Sequence, residues 1–141
     1  AFDREAWRFN RREGAEYAIM ECPGVPDKKC AMVEIYEVTF PHGTGWHQCL
    51  TLEPEQRYSF SAWVKVETEG EWIPIYYQGA RDGDPHGIKL SGSHTGAQDW
   101  TYFEQEFVAP EFDEDRACFH PARLLDVGQL WFHSATLRVV E

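Results

Sequence analysis

The chain has 141 residues, a formal net charge of −11 and an aromatic content of 15%. Its length suits one domain with a hydrophobic core of its own. The excess of acidic residues argues against nucleic acid and anionic membranes as partners, because phosphate contacts need clustered Lys and Arg. No apolar run has the length of a membrane span, and no secretion signal is recognisable.

Short strand-like segments alternate with clusters of Pro, Gly and Asp along the chain, which is the all-β pattern. Residues 3–13 are charged enough for a short helix, although a solvated strand fits them equally well. The predicted strands lie near residues 17–21, 31–40, 46–52, 57–67, 72–78, 86–91, 100–109, 115–120 and 130–140. This spacing predicts one domain over residues 1–141, a jelly-roll β-sandwich of two antiparallel sheets.

Four cysteines are present, and none forms the CxxC pair of a zinc ribbon. Four cysteines allow three disulfide pairings. Cys22 and Cys30 bracket a Pro/Gly loop and could close it, which would leave Cys49 for Cys118. The alternative is four reduced thiols packed as small hydrophobes.

The strand at 57–67 shows a strict alternation of core and polar positions. One face of this strand carries only apolar side chains, which we assign to the core: Tyr58, Phe60, Ala62, Val64 and Val66. The other face carries Trp63 between Ser61 and Lys65. Water does not favour an indole there, so a flat, polar ligand such as a sugar is one reason to find it.

Alternation in the neighbouring strands adds side chains to the same predicted face. On 72–78, Ile73, Ile75 and Tyr77 are assigned to the core, which turns Trp72, Pro74, Tyr76 and Gln78 the other way. On 100–108, core positions at Phe103 and Phe107 leave Trp100, Tyr102, Glu104 and Glu106 opposite. On 46–52, core positions at Leu50 and Leu52 leave His47, Cys49 and Thr51 outward. Trp46, Trp100 and Trp131 are interpreted mainly as packing residues.

Three motifs in order resemble a known family. The stretch from Trp46 to Lys65 resembles the "W-x-Q-x-L-x-L-x-P-G-x-x-Y-x-F-S-x-W-V-K" core of carbohydrate-binding modules of the family 4/9/22 type. Residues 99–110 are similar to the family's "W-x-x-F-x-x-x-F-x-x-P" strand, and residues 128–137 to its closing strand. The resemblance implies a galactose-binding-like sandwich that binds glycan on a concave sheet, is non-catalytic and secreted, and is attached to a glycoside hydrolase or lyase.

The resemblance and the alternation together predict the carbohydrate-binding residues. Sugar rings stack their C–H patches on aromatic faces, and hydroxyls need fixed donors and acceptors. We predict stacking on Trp63, Trp72 and Tyr76. Hydroxyl contacts are assigned to Gln78, Arg81, Tyr102 and Glu104.

The chain departs from the family pattern at Glu55, which replaces a turn glycine, and at the closing strand. There His133 and Ser134 replace aspartates, one of which often helps to hold a structural calcium in the family. We therefore expect no cofactor and no such calcium, although four acidic residues could supply a rearranged site: Asp3, Glu5, Asp126 and Glu141. The six histidines show no HxH or HExxH spacing.

Two other function classes share the β pattern. A protein-interaction or adhesion sandwich would look the same in sequence, but its ligand face should be broad and flat. A small polysaccharide-cleaving enzyme could use Glu104 with Glu106, or His86 with Tyr76 and Arg81. We expect no catalysis, because neighbouring glutamates on one strand face are usually solvated.

Overall fold

The computed structural model describes residues 7–9, 11–39, 43–78, 87–89, 94–109 and 116–141. This part of the chain forms eleven β-strands and contains no helix. Their bounds are β1 Arg8–Phe9, β2 Ala15–Glu21, β3 Lys29–Ile35, β4 Trp46–Thr51, β5 Arg57–Thr68, β6 Glu71–Gln78, β7 Gly87–Lys89, β8 His94–Thr95, β9 Gln98–Val108, β10 Arg116–Leu124 and β11 Gly128–Val139.

The strands form two sheets. The six-stranded sheet has the order β1-β4-β10-β6-β7, with β8 also paired to β6, and the five-stranded sheet has the order β2-β3-β11-β5-β9. All of the pairings between these strands are antiparallel. The predicted all-β sandwich is therefore confirmed.

The core fills the space between the two sheets. Phe60 of β5 stacks on Phe119 of β10 with ring centroids 5.3 Å apart, which fixes the inward face of both strands. Trp46 is 1% exposed, and its indole Nε1 donates to the carbonyl oxygen of Met32 at 2.9 Å. The predicted core positions of β5 are all buried, because alternation in a half-buried strand directly reports its two faces.

The sequence left the state of the four cysteines open, and the structure shows two disulfides. Cys22 pairs with Cys30 and closes the loop between β2 and β3, while Cys49 of β4 pairs with Cys118, its direct partner on β10. The closed loop covers a second apolar cluster on the outer side of the five-stranded sheet. Its buried members are Cys22, Cys30 and Trp131, and its half-buried members are Met20, Val25, Met32 and Trp100.

Two segments differ from the sequence prediction. Of the predicted helix or strand at 3–13, Arg8–Phe9 forms a short strand on β4, and residues 1–6 and 10 lie outside the described part of the chain. His94–Thr95, which lies between the predicted strands at 86–91 and 100–109, pairs with the start of β6. A two-residue strand carries too little alternation to be recognised in sequence.

Candidate functional site

The structure divides the predicted carbohydrate-binding residues between two sheets. Trp63 lies on β5, and Tyr102 and Glu104 lie on β9, all in the five-stranded sheet. Trp72, like the backbone of Tyr76 and Gln78, belongs to β6 of the six-stranded sheet. The prediction of one shared face is therefore wrong, because alternation assigns a residue to a face of its strand but not to a sheet.

The predicted exposure of Trp72 is also wrong. Its side chain is 0% exposed and lies in the main core, with its ring 5.6 Å from that of Phe103. The strand pairs Trp72 with Leu124, another core residue, and His94 stacks on the indole at 4.3 Å. Residues 72–77 are apolar at every position, so their pattern could not reveal which alternate set faces inward.

The other members of the predicted set are described only in part. The side chains of Tyr76 and Gln78, and the whole of Arg81, lie outside the described residues. The backbone register pairs Tyr76 with Phe119 and Gln78 with Ala117, so both residues neighbour β10. Their predicted roles remain predictions.

The outer side of the six-stranded sheet carries a group of polar side chains beside a disulfide. Since Phe119 points into the core, its neighbours on β10 point outward. We call this surface the recessed face and define it by His47, Cys49, Cys118, His120 and Arg123. The rings of His47 and His120 are 5.1 Å apart.

Two members of the recessed face are buried although they lie on the outer side of a sheet. His120 is 5% exposed and Arg123 is 9% exposed. Arg123 donates through Nη1 to Nε2 of His120 at 3.1 Å and through Nη2 to the carbonyl oxygen of Gly43 at 2.9 Å. The guanidinium thus ties β10 to the segment that leads into β4, and its charge is partly compensated by two acceptors.

The same contacts keep the imidazole of His120 neutral. Burial lowers the pKa of His120 well below 6.5, and the charges of Arg123 and His47 act in the same direction. A hydrogen bond with the backbone of Trp46 opposes the shift. Because Nε2 accepts from the guanidinium, the proton of the neutral ring resides on Nδ1.

The outer side of the five-stranded sheet carries a row of aromatic rings on three adjacent strands. We call it the ring row and define it by His133 of β11, Trp63 of β5 and Tyr102 of β9. Trp63 is the direct partner of both other residues, with ring centroids 6.3 Å from His133 and 5.4 Å from Tyr102. Trp63 is 38% exposed and Tyr102 is 46% exposed, as the alternation predicted.

Other features of the described residues offer little chemistry. A cavity of about 460 Å³ is lined by Glu67, Thr68, Glu69, Ala97, Asp126 and Val127. Within the described ranges, His, Cys, Asp and Glu side chains form no group of three or more placed to hold a metal. Asp3 and Glu5 lie outside those ranges, so the calcium prediction remains a prediction. The same residues contain no helix suited to crossing a membrane.

The fold matches solved carbohydrate-binding modules over almost the whole chain. The first is the CBM22-1 xylan-binding domain of Paenibacillus barcinonensis Xyn10C, at 12% identity and a TM-score of 0.72, covering 98% of this chain and 88% of that one. The C-terminal family 22 module of Clostridium thermocellum Xyn10B gives 13% identity, a TM-score of 0.71 and coverages of 97% and 87%. A CBM4 structure gives 15% identity and a TM-score of 0.64, and the match covers 95% of this chain and 86% of that one.

These likenesses confirm the fold that the motif resemblance implied. Sequence comparison alone adds nothing to them, since no protein-family model and no curated protein matches the chain. At such low identities the shared property is the sandwich itself, and function has to be argued from the two outer faces.

Sequence reasoning placed His47 and Cys49 outward but missed Cys118, His120 and Arg123 of the recessed face and His133, the third ring of the ring row. It treated the histidines as scattered polar residues and assigned Arg123 no role. A signal was present in Phe119–Leu124, where His120 and Arg123 interrupt an otherwise apolar run. Polar residues inside such a run need partners, and here they are each other's partners.

Proposed function

We propose that this chain is a non-catalytic carbohydrate-binding module that binds a neutral polysaccharide at the recessed face. The observation that carries this proposal is the burial of His120 and Arg123 on the outer side of a sheet. Outer faces normally meet water, so polar side chains buried there have to be fixed by partners, here by each other and by the carbonyl oxygen of Gly43. An outer face with donors and acceptors ordered in this way suits a chain of hydroxyl-bearing rings.

The chemistry of the recessed face supports a sugar ligand. His47 is half-buried and offers ring nitrogens, while the half-buried Cys49–Cys118 disulfide offers an apolar surface for C–H groups. Arg81 follows β6, and we assign it to the same site. Tyr76 and Gln78 pair with Phe119 and Ala117, on the core-facing set of β10, so we leave them out of this site. The net charge of −11 favours an uncharged glycan over a polyanionic one.

The structural neighbours supply the first ligand to test. The Paenibacillus domain is described as xylan-binding, and the Clostridium module as binding its ligand in a cleft. Another neighbour from Clostridium thermocellum joins a CBM22-1 module to GH10 in one xylanase chain. By analogy, we propose that this module is extracellular and holds a catalytic domain in cis close to xylan or a related polysaccharide.

Affinity gel electrophoresis on soluble xylan, β-glucan and mannan tests the proposal directly. We expect retardation by one backbone class, and loss of most of it in His47→Ala and Arg81→Ala. Glu21→Gln, at the exposed end of β2, is the matched control and should migrate like the parent chain. Folded protein that no glycan retards would contradict the function, and full retardation of both variants would contradict the site.

The enzyme alternative receives less support from the geometry. Glu104 and Glu106 are both exposed on the outer side of β9. Glu104 already accepts from Tyr102 Oη at 2.9 Å and lies 3.4 Å from Nη2 of Arg138. A general acid or nucleophile needs an enclosed environment that tunes it, and an open sheet surface does not provide one.

A further inference from the structure

The ring row is held in place before any ligand arrives. On one side, the indole of Trp100 packs against His133 with centroids 5.0 Å apart, and its Nε1 donates to the carbonyl oxygen of Pro23 at 2.9 Å. Pro23 belongs to the loop closed by Cys22 and Cys30. A surface ordered in this way loses little conformational entropy on binding.

Hydrogen-bonding groups flank the exposed rings. Tyr102 Oη donates to Oε2 of Glu104, whose other oxygen faces Arg138 at 3.4 Å. On the other flank, Nζ of Lys65 lies 3.3 Å from Oδ1 of Asp99. Both flanks therefore offer donors and acceptors of opposite charge at the edge of the rings, which suits a ligand with alternating apolar faces and hydroxyl edges.

The dimensions of the ring row favour a sugar chain over a protein partner. Its exposed apolar surface consists mainly of Trp63 and Tyr102, and the next outward residue on one side of each is charged: Lys65 on β5 and Glu104 on β9. A stable protein interface buries about 800 Å² on each partner around a core depleted in charge. With Lys65 and Glu104 directly beside the two exposed rings, the ring row offers no core depleted in charge.

We propose that the ring row is a second glycan-binding surface, which takes a neutral polysaccharide chain across β11, β5 and β9. This inference rests on the proposed function, because it assumes that the natural ligand is a glycan. The two outer faces of a sandwich point in opposite directions, so one module would contact two neighbouring chains of a polysaccharide network. Binding at two surfaces raises the apparent affinity for an insoluble polysaccharide far above that for a short oligosaccharide.

Nuclear magnetic resonance on the full chain reads the two surfaces separately. The probe is xylohexaose, with cellohexaose as the alternative backbone. We expect the Trp63 indole resonance, assigned by its absence in Trp63→Phe, to shift during the titration. The backbone amides of His47 and Cys49 report the recessed face in the same spectra. His47→Ala should leave the Trp63 shift in place.

Binding to insoluble polysaccharide gives the second readout. We expect Trp63→Ala with Tyr102→Ala to lower the apparent affinity about tenfold or more, because two-surface binding is lost. The double variant Trp63→Phe with Tyr102→Phe keeps both ring faces and should retain most of the apparent affinity. Glu67→Gln, exposed on the same strand, is the control substitution and should match the parent chain.

Each outcome decides between the two sites. Shifts at the recessed face alone would overturn the ring row and leave the proposed function intact. Shifts at the ring row alone would make it the primary site and overturn its role as a second surface. An absence of shifts at both would contradict both proposals. Trp63 shifts that depend on protein concentration without glycan would overturn the proposal in favour of self-association.

Discussion

The two outer faces of this sandwich differ in the kind of side chain that each buries or exposes. On the recessed face, polar groups that prefer water are buried, and Arg123, His120 and the carbonyl of Gly43 satisfy one another. On the ring row, aromatic groups that prefer a dry environment are exposed, and Trp63 and Tyr102 cover each other only in part. The first face therefore contributes to the stability of the fold, whereas the second leaves apolar surface available to a ligand.

This difference predicts that equivalent substitutions will have unequal effects on folding. Removing a side chain from the core or from the recessed face should lower the free energy of unfolding, since it leaves a cavity or an unpaired polar group. Removing one from the ring row should change binding and little else. Three comparisons test this expectation, in order of decreasing change in the free energy of unfolding.

The largest difference in the free energy of unfolding is expected between alanine substitutions of Trp72 and Trp63, two tryptophans that the sequence assigned to one face. Trp72→Ala should cost about 3–5 kcal/mol, because the ring is fully buried against Phe103 and His94. Trp63→Ala should cost about 1 kcal/mol or less, because its ring is 38% exposed. Urea denaturation monitored by circular dichroism measures both, and equal losses would contradict the assignment of the two side chains.

Two arginines give the next comparison. Arg123→Ala leaves the acceptors on His120 and Gly43 without their donor, and we expect a loss of about 2–4 kcal/mol in the free energy of unfolding. Arg138→Ala removes only an exposed ion pair with Glu104 and should change stability by about 0.5 kcal/mol or less. If Arg123→Ala unfolds at the same urea concentration as the parent chain, the recessed face is not held by this guanidinium.

The smallest expected effect is the dependence of the free energy of unfolding on pH. Burial places the pKa of His120 below 6.5 in the folded chain, so the unfolded chain takes up the proton first as the pH falls. Stability should therefore be complete above about pH 7 and decline as the pH drops below about 6.5, by at most about 1.4 kcal/mol per pH unit from this residue. Burial also lowers the pKa of His94 and His133, which adds in the same direction.

Urea midpoints at about pH 7.5, 6.5 and 5.5 check the pH prediction. His120→Gln removes the titrating group and should flatten the decline, whatever its effect on stability at neutral pH. His133→Gln, on the opposite face, is the matched control and should flatten it less, since the ring is less buried. An unchanged slope in His120→Gln would show that this imidazole does not control the acid limit.

Much of the fold could be predicted from local sequence. Alternation in β5 and β9 assigned Trp63 and Tyr102 to the outer face correctly, because apolar side chains mark the inward face of each strand. The loop bracketed by Cys22 and Cys30 offered one of three possible pairings, which is the pairing that the structure shows, although the sequence could not choose it over four reduced thiols. These features depend on residues close in sequence or on simple periodicity.

The candidate site could be predicted only in part, because it depends on which strands share a sheet. β5 and β6 are adjacent in sequence but lie in different sheets, and no periodicity reports that crossing. The apolar run that starts at Trp72 conceals its inward face. The partnership of His120 and Arg123 with Gly43 joins residues about 80 positions apart, which no local pattern reveals.

The disulfide between Cys49 and Cys118 determines what happens to the chain after a single proteolytic cut. It encloses the sequence between two adjacent strands, including β5, β6 and β9. A single backbone cut anywhere between these cysteines leaves the two fragments covalently joined. A nicked chain would therefore run as one band on a non-reducing gel and as two after reduction, and its two fragments would remain tethered between β4 and β10 on the recessed face.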